Sequence, residues 1–209
     1  NRLVSDDAEL IPNNPATHDP FDLKSVFGER YWGGLIQNDI LYRPLTTWTL
    51  ALNYSVNRAL GLPGAAAGGF RAVNMLLNAA VCCLVYLFLT KLRLDRWAAI
   101  TGAFLFAAAP IHTEAVASVV GRAEVLAALF GLLFLLRHGQ GRSPVIGALF
   151  LLLALLSKES AAAFLILCVW FDICFNPRGR RPALAPYAAY AAAVVVWFAV
   201  RSAVIGNTR

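Results

Sequence analysis

Long apolar runs after Gly68 constrain this sequence more than any other feature. A transmembrane helix needs about 20 mostly apolar residues to cross the hydrocarbon core of a bilayer. Three stretches meet that length: 70–89, 97–109 continuing towards 120, and 183–204. The chain is 59% hydrophobic and only 14% charged, which is far from the balance of a soluble domain. The sequence therefore predicts an all-α, polytopic transmembrane helical bundle.

Shorter apolar runs complete the membrane block. Residues 125–136 and 145–156 would each form only about 18 Å of helix, so neither crosses a bilayer without flanking residues. The polar tip 157–160 follows the second run, and another apolar run, 161–175, comes directly after it. This order predicts a hairpin or a broken helix pair whose tip lies near one membrane face. We expect about five to six membrane segments in residues 69–209.

Residues 1–68 form a polar front that is rich in Asp, Asn and Pro. Residues 44–60 carry apolar side chains at mixed helical spacing, with Trp48 and Tyr54 suited to a membrane interface. We therefore predict an extracytoplasmic first loop with an acidic motif and juxtamembrane helices. The chain opens at Asn1 without a basic and apolar leader, so we expect it to be part of a longer protein with an upstream membrane helix.

Basic residues predict the orientation of the helices, because short cytoplasmic loops carry an excess of Lys and Arg. Three clusters in alternate loops are assigned to the inside: Lys91, Arg93 and Arg96; Arg137 and Arg142; Arg178, Arg180 and Arg181. The intervening loops hold few basic residues and are assigned to the outside, together with the polar front. Eight ionisable residues then share the extracytoplasmic side: Asp6, Asp7, Arg43, His112, Glu114, Arg122, Lys158 and Glu159.

Net charge and cysteine placement argue against two other classes of function. The formal net charge is +6, but the basic residues form short clusters between apolar runs, which disfavours a nucleic-acid partner. The four cysteines lie in or beside apolar runs without partners at zinc spacing. His112 and Glu114 are two residues apart and would point to different faces of a helix, so a metal pair would need a loop. We therefore expect no metal site.

The acidic pair Asp6 and Asp7, and also Arg43, can each be explained by a structural role instead of a functional one. Asp6 and Asp7 could supply a general base, whereas Asp6 with Glu9 also fits a helix N-cap and its capping-box partner. Arg43 comes just before Pro44, where it could bind a phosphate through paired donors or face lipid headgroups. The residues alone favour the helix cap for the acidic pair and leave the question open for Arg43.

Ionisable residues at membrane depth are energetically costly and therefore indicate function. His112 and Glu114 follow one apolar run, and Arg122 precedes the next. Lys158 and Glu159 interrupt apolar sequence on both sides. The lysine fits either a point charge that holds a phosphate in a cavity or a water-exposed hairpin tip capped by the preceding serine.

Together these segments resemble, in order and content, the transmembrane and tetratricopeptide-repeat-containing proteins, a branch of the GT-C glycosyltransferases related to protein O-mannosyltransferases. The most specific motifs are His-Thr-Glu-Ala-Val at 112–116 and Gly-Arg-Ala-Glu at 121–124, followed by Lys-Glu-Ser at 158–160. The other resembling segments are 5–9 with 13–15, 31–33, 42–46, 70–74 and 187–206. Family members usually carry histidine where this chain has Arg71 and Asn78, so roles of those histidines do not carry over.

The resemblance implies a GT-C-like enzyme that moves a sugar, with mannose expected, from a polyprenyl or dolichyl phosphate to a hydroxyl of a protein or other acceptor, with inversion. Membrane lipid, the lipid-linked donor and a protein acceptor are then its partners, without a covalently bound cofactor or a divalent metal. The implied roles are a base (Asp6, then Asp7), groups that bind the lipid phosphate (Arg43, Arg122, Lys158) and groups that shape the site or contact the sugar (His112, Glu114, Glu159).

The implied location is a bacterial inner membrane or the endoplasmic reticulum, with the active site on the extracytoplasmic side. A different class of function, a non-catalytic membrane scaffold or a transporter, would explain the composition equally well. It would not explain an acidic pair on a long outer loop together with the family-like segments. The sequence therefore favours the glycosyltransferase.

Overall fold

The computed structural model describes residues 3, 6–37, 39–138, 143–175 and 184–206. These residues form helices and loops without a β-strand, which confirms the predicted all-α fold. The α-helices are α1 (Asp6–Asn13), α2 (Leu23–Gly28), α3 (Pro44–Ala59), α4 (Ala67–Lys91), α5 (Arg96–Ala108), α6 (Ile111–Ala117), α7 (Arg122–His138), α8 (Pro144–Ser157), α9 (Ala163–Phe175) and α10 (Leu184–Gly206). Short 3₁₀ helices cover Pro15–Thr17 and Glu159–Ala162.

The polar front is a packed layer of helices at one end of the bundle. Pro44 begins α3, where its missing N–H costs no helical hydrogen bond, and α3 confirms the helix expected at 44–60. Asn14 braces the loops by donating from Nδ2 to the carbonyl of Tyr31 at 3.0 Å. Gly33 (φ +56°) lies so close that a Cβ would come within 2.6 Å of the Asn14 Oδ1. Seven buried side chains form the core beneath: Leu10, Ile11, Tyr31, Trp32, Leu50, Phe70 and Val119.

Two helices, α4 and α10, are long and apolar enough to cross a membrane, as predicted for 70–89 and 183–204. The third predicted span is broken: α5 and α6 meet at an angle of 61°. Pro110 lies at the break. Its missing N–H cannot continue the hydrogen bonds of α5, so the helix ends before it. Counted as one bent span, this pair brings the candidate membrane crossings among the described residues to at most three, by length and composition.

The shorter helices pack around α7. Helix α7 lies against α4 and α8, α9 packs on α7, and α10 packs on α8. Gly131 allows the close approach of α9, since a Cβ there would lie 2.2 Å from the ring of Phe164. Helix α8 ends at Ser157, and the 3₁₀ helix leads from it into α9, so the polar tip separates two helices as predicted. Of the basic residues assigned to the inside, Arg142, Arg178, Arg180 and Arg181 lie outside the described residues.

Polar groups tie three helices together at the end of the bundle opposite the front. His138 at the end of α7 is 2.9 Å from Asp172 Oδ1 and 3.1 Å from the hydroxyl of Tyr190. Tyr187 donates its hydroxyl to the other Asp172 oxygen at 2.7 Å. Asp172 belongs to α9 and both tyrosines to α10, so one carboxylate links α7, α9 and α10.

Replacing this carboxylate should loosen the bundle. We expect Asp172→Ala to lower the free energy of unfolding by about 1–3 kcal/mol, because His138 and Tyr187 lose their acceptor in a largely buried position. Thermal unfolding of the purified full-length protein in detergent measures the change. Asp19→Ala, at an exposed loop carboxylate, is the control and should leave the unfolding temperature nearly unchanged. Equal losses in the two variants would contradict the role of Asp172.

Candidate functional site

A pocket of about 870 Å³ opens between the front and the ends of α4, α6 and α7. Aliphatic and aromatic side chains from α4, α5, α6 and α7 form part of its wall. Its polar lining consists of Asp6, Arg43, Arg71, Asn78, His112, Glu114, Ser118 and Glu124. Four of the eight predicted site residues, Asp6, Arg43, His112 and Glu114, therefore line one cavity. Asp7, Glu159 and Lys158 contact residues that line it, and Arg122 lies in the chain between the lining residues Gly121 and Ala123.

The two neighbouring aspartates have different surroundings. Asp7 is 1% exposed, and its carboxylate accepts hydrogen bonds from Ser118 Oγ at 3.0 Å and from the backbone N–H groups of Val119 and Val120, both at 2.9 Å. It thereby fastens α1 to the turn between α6 and α7. Asp6, the first residue of α1, is exposed and lines the pocket. Only Asp6 of the pair is therefore placed to meet a ligand there.

Arg122 is fully buried and its hydrogen bonds go to the protein. Nε and Nη2 donate to the side-chain oxygens of Asn74 and Asn53, each at 2.8 Å. Nη1 and Nη2 also donate to the carbonyls of Thr49 and Phe70, each at 3.0 Å. The guanidinium lies 5.5 Å from the centre of the Phe70 ring. Four of its five N–H donors are thus used to join α7 to α3 and α4.

Arg43, which lines the pocket, pairs with Glu159. Its Nη2 and Nε donate to the two carboxylate oxygens at 2.7 and 3.2 Å, and its guanidinium lies 5.2 Å from the centre of the buried Tyr31 ring. Burial alone would raise the pKa of Glu159 and lower that of Arg43. The hydrogen bonds and opposite charges outweigh burial, so the pKa of Glu159 lies below its ordinary value and that of Arg43 above it.

Tyr31 lies at the centre of these charges. Burial raises the pKa of its hydroxyl above the ordinary value. The two arginines, Arg43 and Arg122, act through space to lower that pKa, and Asp7 and Asp6 act to raise it. Charged residues from three segments, Arg43, Arg122 and the adjacent Asp6 and Asp7, therefore all act on one buried hydroxyl.

Lys158 forms an ion pair with Glu124, whose carboxylate accepts from its Nζ. Glu124 lines the pocket, and it also raises the pKa of Arg43 through space after the larger contributions of burial, Glu159 and Tyr31. Lys158 in turn contributes to the lowered pKa of Glu159, after burial and the partner arginine. The two ion pairs consequently form one group of alternating charges at the pocket rim.

His112 and Glu114 occupy the short helix α6 on the pocket wall. The ring of His112 lies against Phe106 of α5, with ring centres 4.2 Å apart. Glu114 is exposed to the cavity. Among the described residues, no group of three or more His, Cys, Asp or Glu side chains is placed to hold a metal ion.

Sequence reasoning did not select four polar residues that line the pocket: Arg71, Asn78, Ser118 and Glu124. Arg71 donates from Nε to the carbonyl of Ala117 at 3.0 Å, and Asn78 lies farther along the same helix. Both were noticed only as departures from the family pattern. Glu124 closes the Gly-Arg-Ala-Glu motif, and its place as an ionisable residue at the start of an apolar run was the signal that could have identified it.

The chain is similar in sequence to several protein O-mannosyl-transferases. Protein O-mannosyl-transferase TMTC3 of Homo sapiens is 31% identical over 183 residues, which is 82% of this chain and 19% of the relative. Protein O-mannosyl-transferase F38B6.6 of Caenorhabditis elegans is 36% identical over 179 residues, 81% of this chain and 25% of the relative. Protein O-mannosyl-transferase TMTC2 of Mus musculus is 38% identical over 138 residues, 65% of this chain and 15% of the relative.

These similarities confirm the resemblance that the motifs indicated. The chain spans between 15% and 25% of the length of these three relatives. No family model and no solved structure gives a significant match. The similarity therefore covers most of this chain and a minor part of each relative.

The neighbouring aspartates should respond differently to truncation. Asp7→Ala leaves one buried and two partly buried donors without an acceptor, so we expect the free energy of unfolding to fall by about 2 kcal/mol or more. Asp6→Ala removes an exposed carboxylate and should change stability much less. Thermal unfolding of both variants in detergent measures the difference. Similar decreases in stability for the two variants would show that the hydrogen bonds of Asp7 do not hold α1 to the turn between α6 and α7.

The Arg43–Glu159 pair predicts acid sensitivity. Because folding lowers the pKa of Glu159 from 4.5, the pair stabilises the fold fully above that value. The contribution is lost as the pH falls through the lower pKa of the folded state. We expect wild type to unfold at a higher temperature than Glu159→Gln at neutral pH, and the two to converge in acid. A difference that stays constant with pH would contradict this linkage.

Proposed function

We propose that this chain, a homologue of the transmembrane and tetratricopeptide-repeat-containing protein O-mannosyl-transferases, carries a GT-C-type site that transfers mannose from a polyprenyl phosphate to a hydroxyl of a protein. The observation that carries the proposal is the shared pocket of Asp6 and Arg43, a carboxylate and a guanidinium from distant segments. The relatives are named protein O-mannosyl-transferases, which suggests the sugar and the class of acceptor. The apolar helices beside the pocket suit a donor that is held in a membrane.

Asp6 is the proposed general base. Its exposed carboxylate takes the proton of the acceptor hydroxyl as that oxygen attacks the anomeric carbon of the sugar. The bond between this carbon and the phosphate oxygen breaks on the opposite face, so the configuration inverts and the lipid phosphate leaves with the electron pair. Asp7 acts through α1, because its hydrogen bonds to the turn after α6 hold Asp6 at the cavity.

The leaving phosphate gathers negative charge, which cations stabilise when they already point at it. Arg43 lines the pocket and Lys158 lies beside it through Glu124, so these two are the proposed phosphate ligands. Arg122 spends its donors on the protein, and its proposed role is to position the start of α7. The scheme needs neither a covalently bound cofactor nor a divalent metal.

The remaining residues complete the site. His112 and Glu114 line the wall and can contact the hydroxyl groups of the sugar. Glu159 fixes the plane of the Arg43 guanidinium through two hydrogen bonds. The site lies at the end of the bundle that holds the polar front, which we assign to the extracytoplasmic side of a bacterial inner membrane or of the endoplasmic reticulum.

Transfer of labelled mannose in membranes that contain the full-length protein tests the proposal. We expect Asp6→Asn to lower the rate by about 100-fold or more, because the amide cannot accept the proton. Glu9→Gln, at an exposed carboxylate on the same helix, is the matched control and should keep the wild-type rate. A separate measurement of thermal unfolding shows that the Asp6 variant remains folded.

Two results would count against this function. Equal transfer by wild type and Asp6→Asn would remove Asp6 as the base. No transfer by wild type with any of several lipid-linked sugars, at verified expression, would favour the membrane scaffold or transporter.

A further inference from the structure

The two cations assigned to the donor phosphate are already neutralised within the protein. Arg43 is bound by Glu159, and Lys158 is bound by Glu124. A phosphate that approaches the pocket therefore meets two complete ion pairs. To reach either cation it must compete with the carboxylate that occupies it.

The two pairs differ in how easily they can open. The side chains of Arg43 and Glu159 are 10% and 35% exposed, and two hydrogen bonds join them beside the ring of Tyr31. Those of Lys158 and Glu124 are 20% and 52% exposed. An ammonium group is a point charge without the fixed fork of a guanidinium, so it can exchange one oxyanion for another with little change of geometry. The Lys158–Glu124 pair is the one that can exchange.

The net charge of the pocket lining also disfavours binding of an anion. Asp6, Glu114 and Glu124 face two guanidinium groups, those of Arg43 and Arg71. Three carboxylates therefore oppose two cations on the lining. Removal of the Glu124 charge would balance the lining and uncover Lys158, whereas removal of a distant carboxylate would do neither.

We propose that Glu124 is an internal counter-ion that occupies Lys158 in the empty site and is displaced from it by the phosphate of the lipid donor. This inference rests on the proposed function, since it concerns the donor of the same reaction. Glu124 is a positioning residue in this scheme, because it acts on Lys158 and forms no bond to the reacting atoms. It sets how tightly the site holds lipid phosphates.

The counter-ion has a consequence for product release. Bond cleavage converts the donor phosphate, which carries one negative charge, into a lipid phosphate monoester that carries closer to two. The product would therefore bind Lys158 and Arg43 more strongly than the donor does. A carboxylate tethered beside Lys158 competes for that cation and assists departure of the product.

Binding of a fluorescent polyprenyl phosphate to the full-length protein in lipid nanodiscs tests the counter-ion directly. We expect Glu124→Gln to tighten binding by about three- to tenfold at low ionic strength, with a smaller gain at high salt. Glu124→Asp, which keeps the charge on a shorter side chain, should fall between wild type and Glu124→Gln. Glu29→Gln, at an exposed carboxylate of the front that does not line the pocket, is the matched control and should bind as wild type does.

A double-mutant cycle shows whether the effect passes through Lys158. In the Lys158→Gln background, Glu124→Gln should change affinity little, because the cation it would release is gone. In the transfer reaction, Glu124→Gln should lower KM for the donor and strengthen inhibition by free polyprenyl phosphate. A residue with only a structural role would not move these two constants in that direction.

The outcomes separate the counter-ion from the proposed transfer. Equal or weaker binding by Glu124→Gln, or the same gain with Lys158 absent, would overturn the counter-ion. Tighter binding through Lys158, together with no sugar transfer by wild type, would keep the counter-ion and reject the transferase. No binding of polyprenyl phosphate by wild type or by either Glu124 variant would overturn both.

Discussion

The buried guanidinium of Arg122 is the interaction on which the rest of the site depends. A charge removed from water costs several kcal/mol unless hydrogen bonds replace its hydration. Asn53 and Thr49 of α3 and Asn74 and Phe70 of α4 provide those bonds. Because all four must be in place to satisfy the charge, α3, α4 and the start of α7 are held in one arrangement, and the pocket forms beside their junction.

Asn74 extends this arrangement to the acidic helix. Its oxygen accepts from Arg122 Nε, and its Nδ2 donates to the carbonyl of Ser118 at 2.9 Å. Ser118 Oγ in turn donates to Asp7. A continuous chain of polar groups therefore runs from Arg122 through Asn74 and Ser118 to Asp7. Since the members of such a network support one another, the position of Asp6 at the cavity depends on the guanidinium of Arg122.

Sequence patterns predicted the parts of the fold that depend on local properties. Length and hydropathy located α4 and α10, and Pro44 marked the start of α3. Grouping of the eight ionisable residues at one end followed from the alternation of basic loops. The different positions of Asp6 and Asp7 could not be predicted, because both residues are aspartates. Which of the two is buried depends on hydrogen bonds to the turn at 118–120, which is distant in sequence. The role of Arg122 likewise depends on asparagines from two other helices.

An empty site for an anionic substrate has to be stable before the substrate arrives. Unpaired cations in a partly buried pocket would repel each other and lose hydration, so carboxylates that neutralise them stabilise the fold. The same carboxylates weaken binding of the anion. In this structure one ion pair stabilises the empty pocket and the other leaves room for the anion. Arg43 is held by Glu159 through two hydrogen bonds, whereas Lys158 is paired with the more exposed Glu124. The Arg43–Glu159 pair can therefore stabilise the pocket while Lys158 leaves Glu124 and binds the anion.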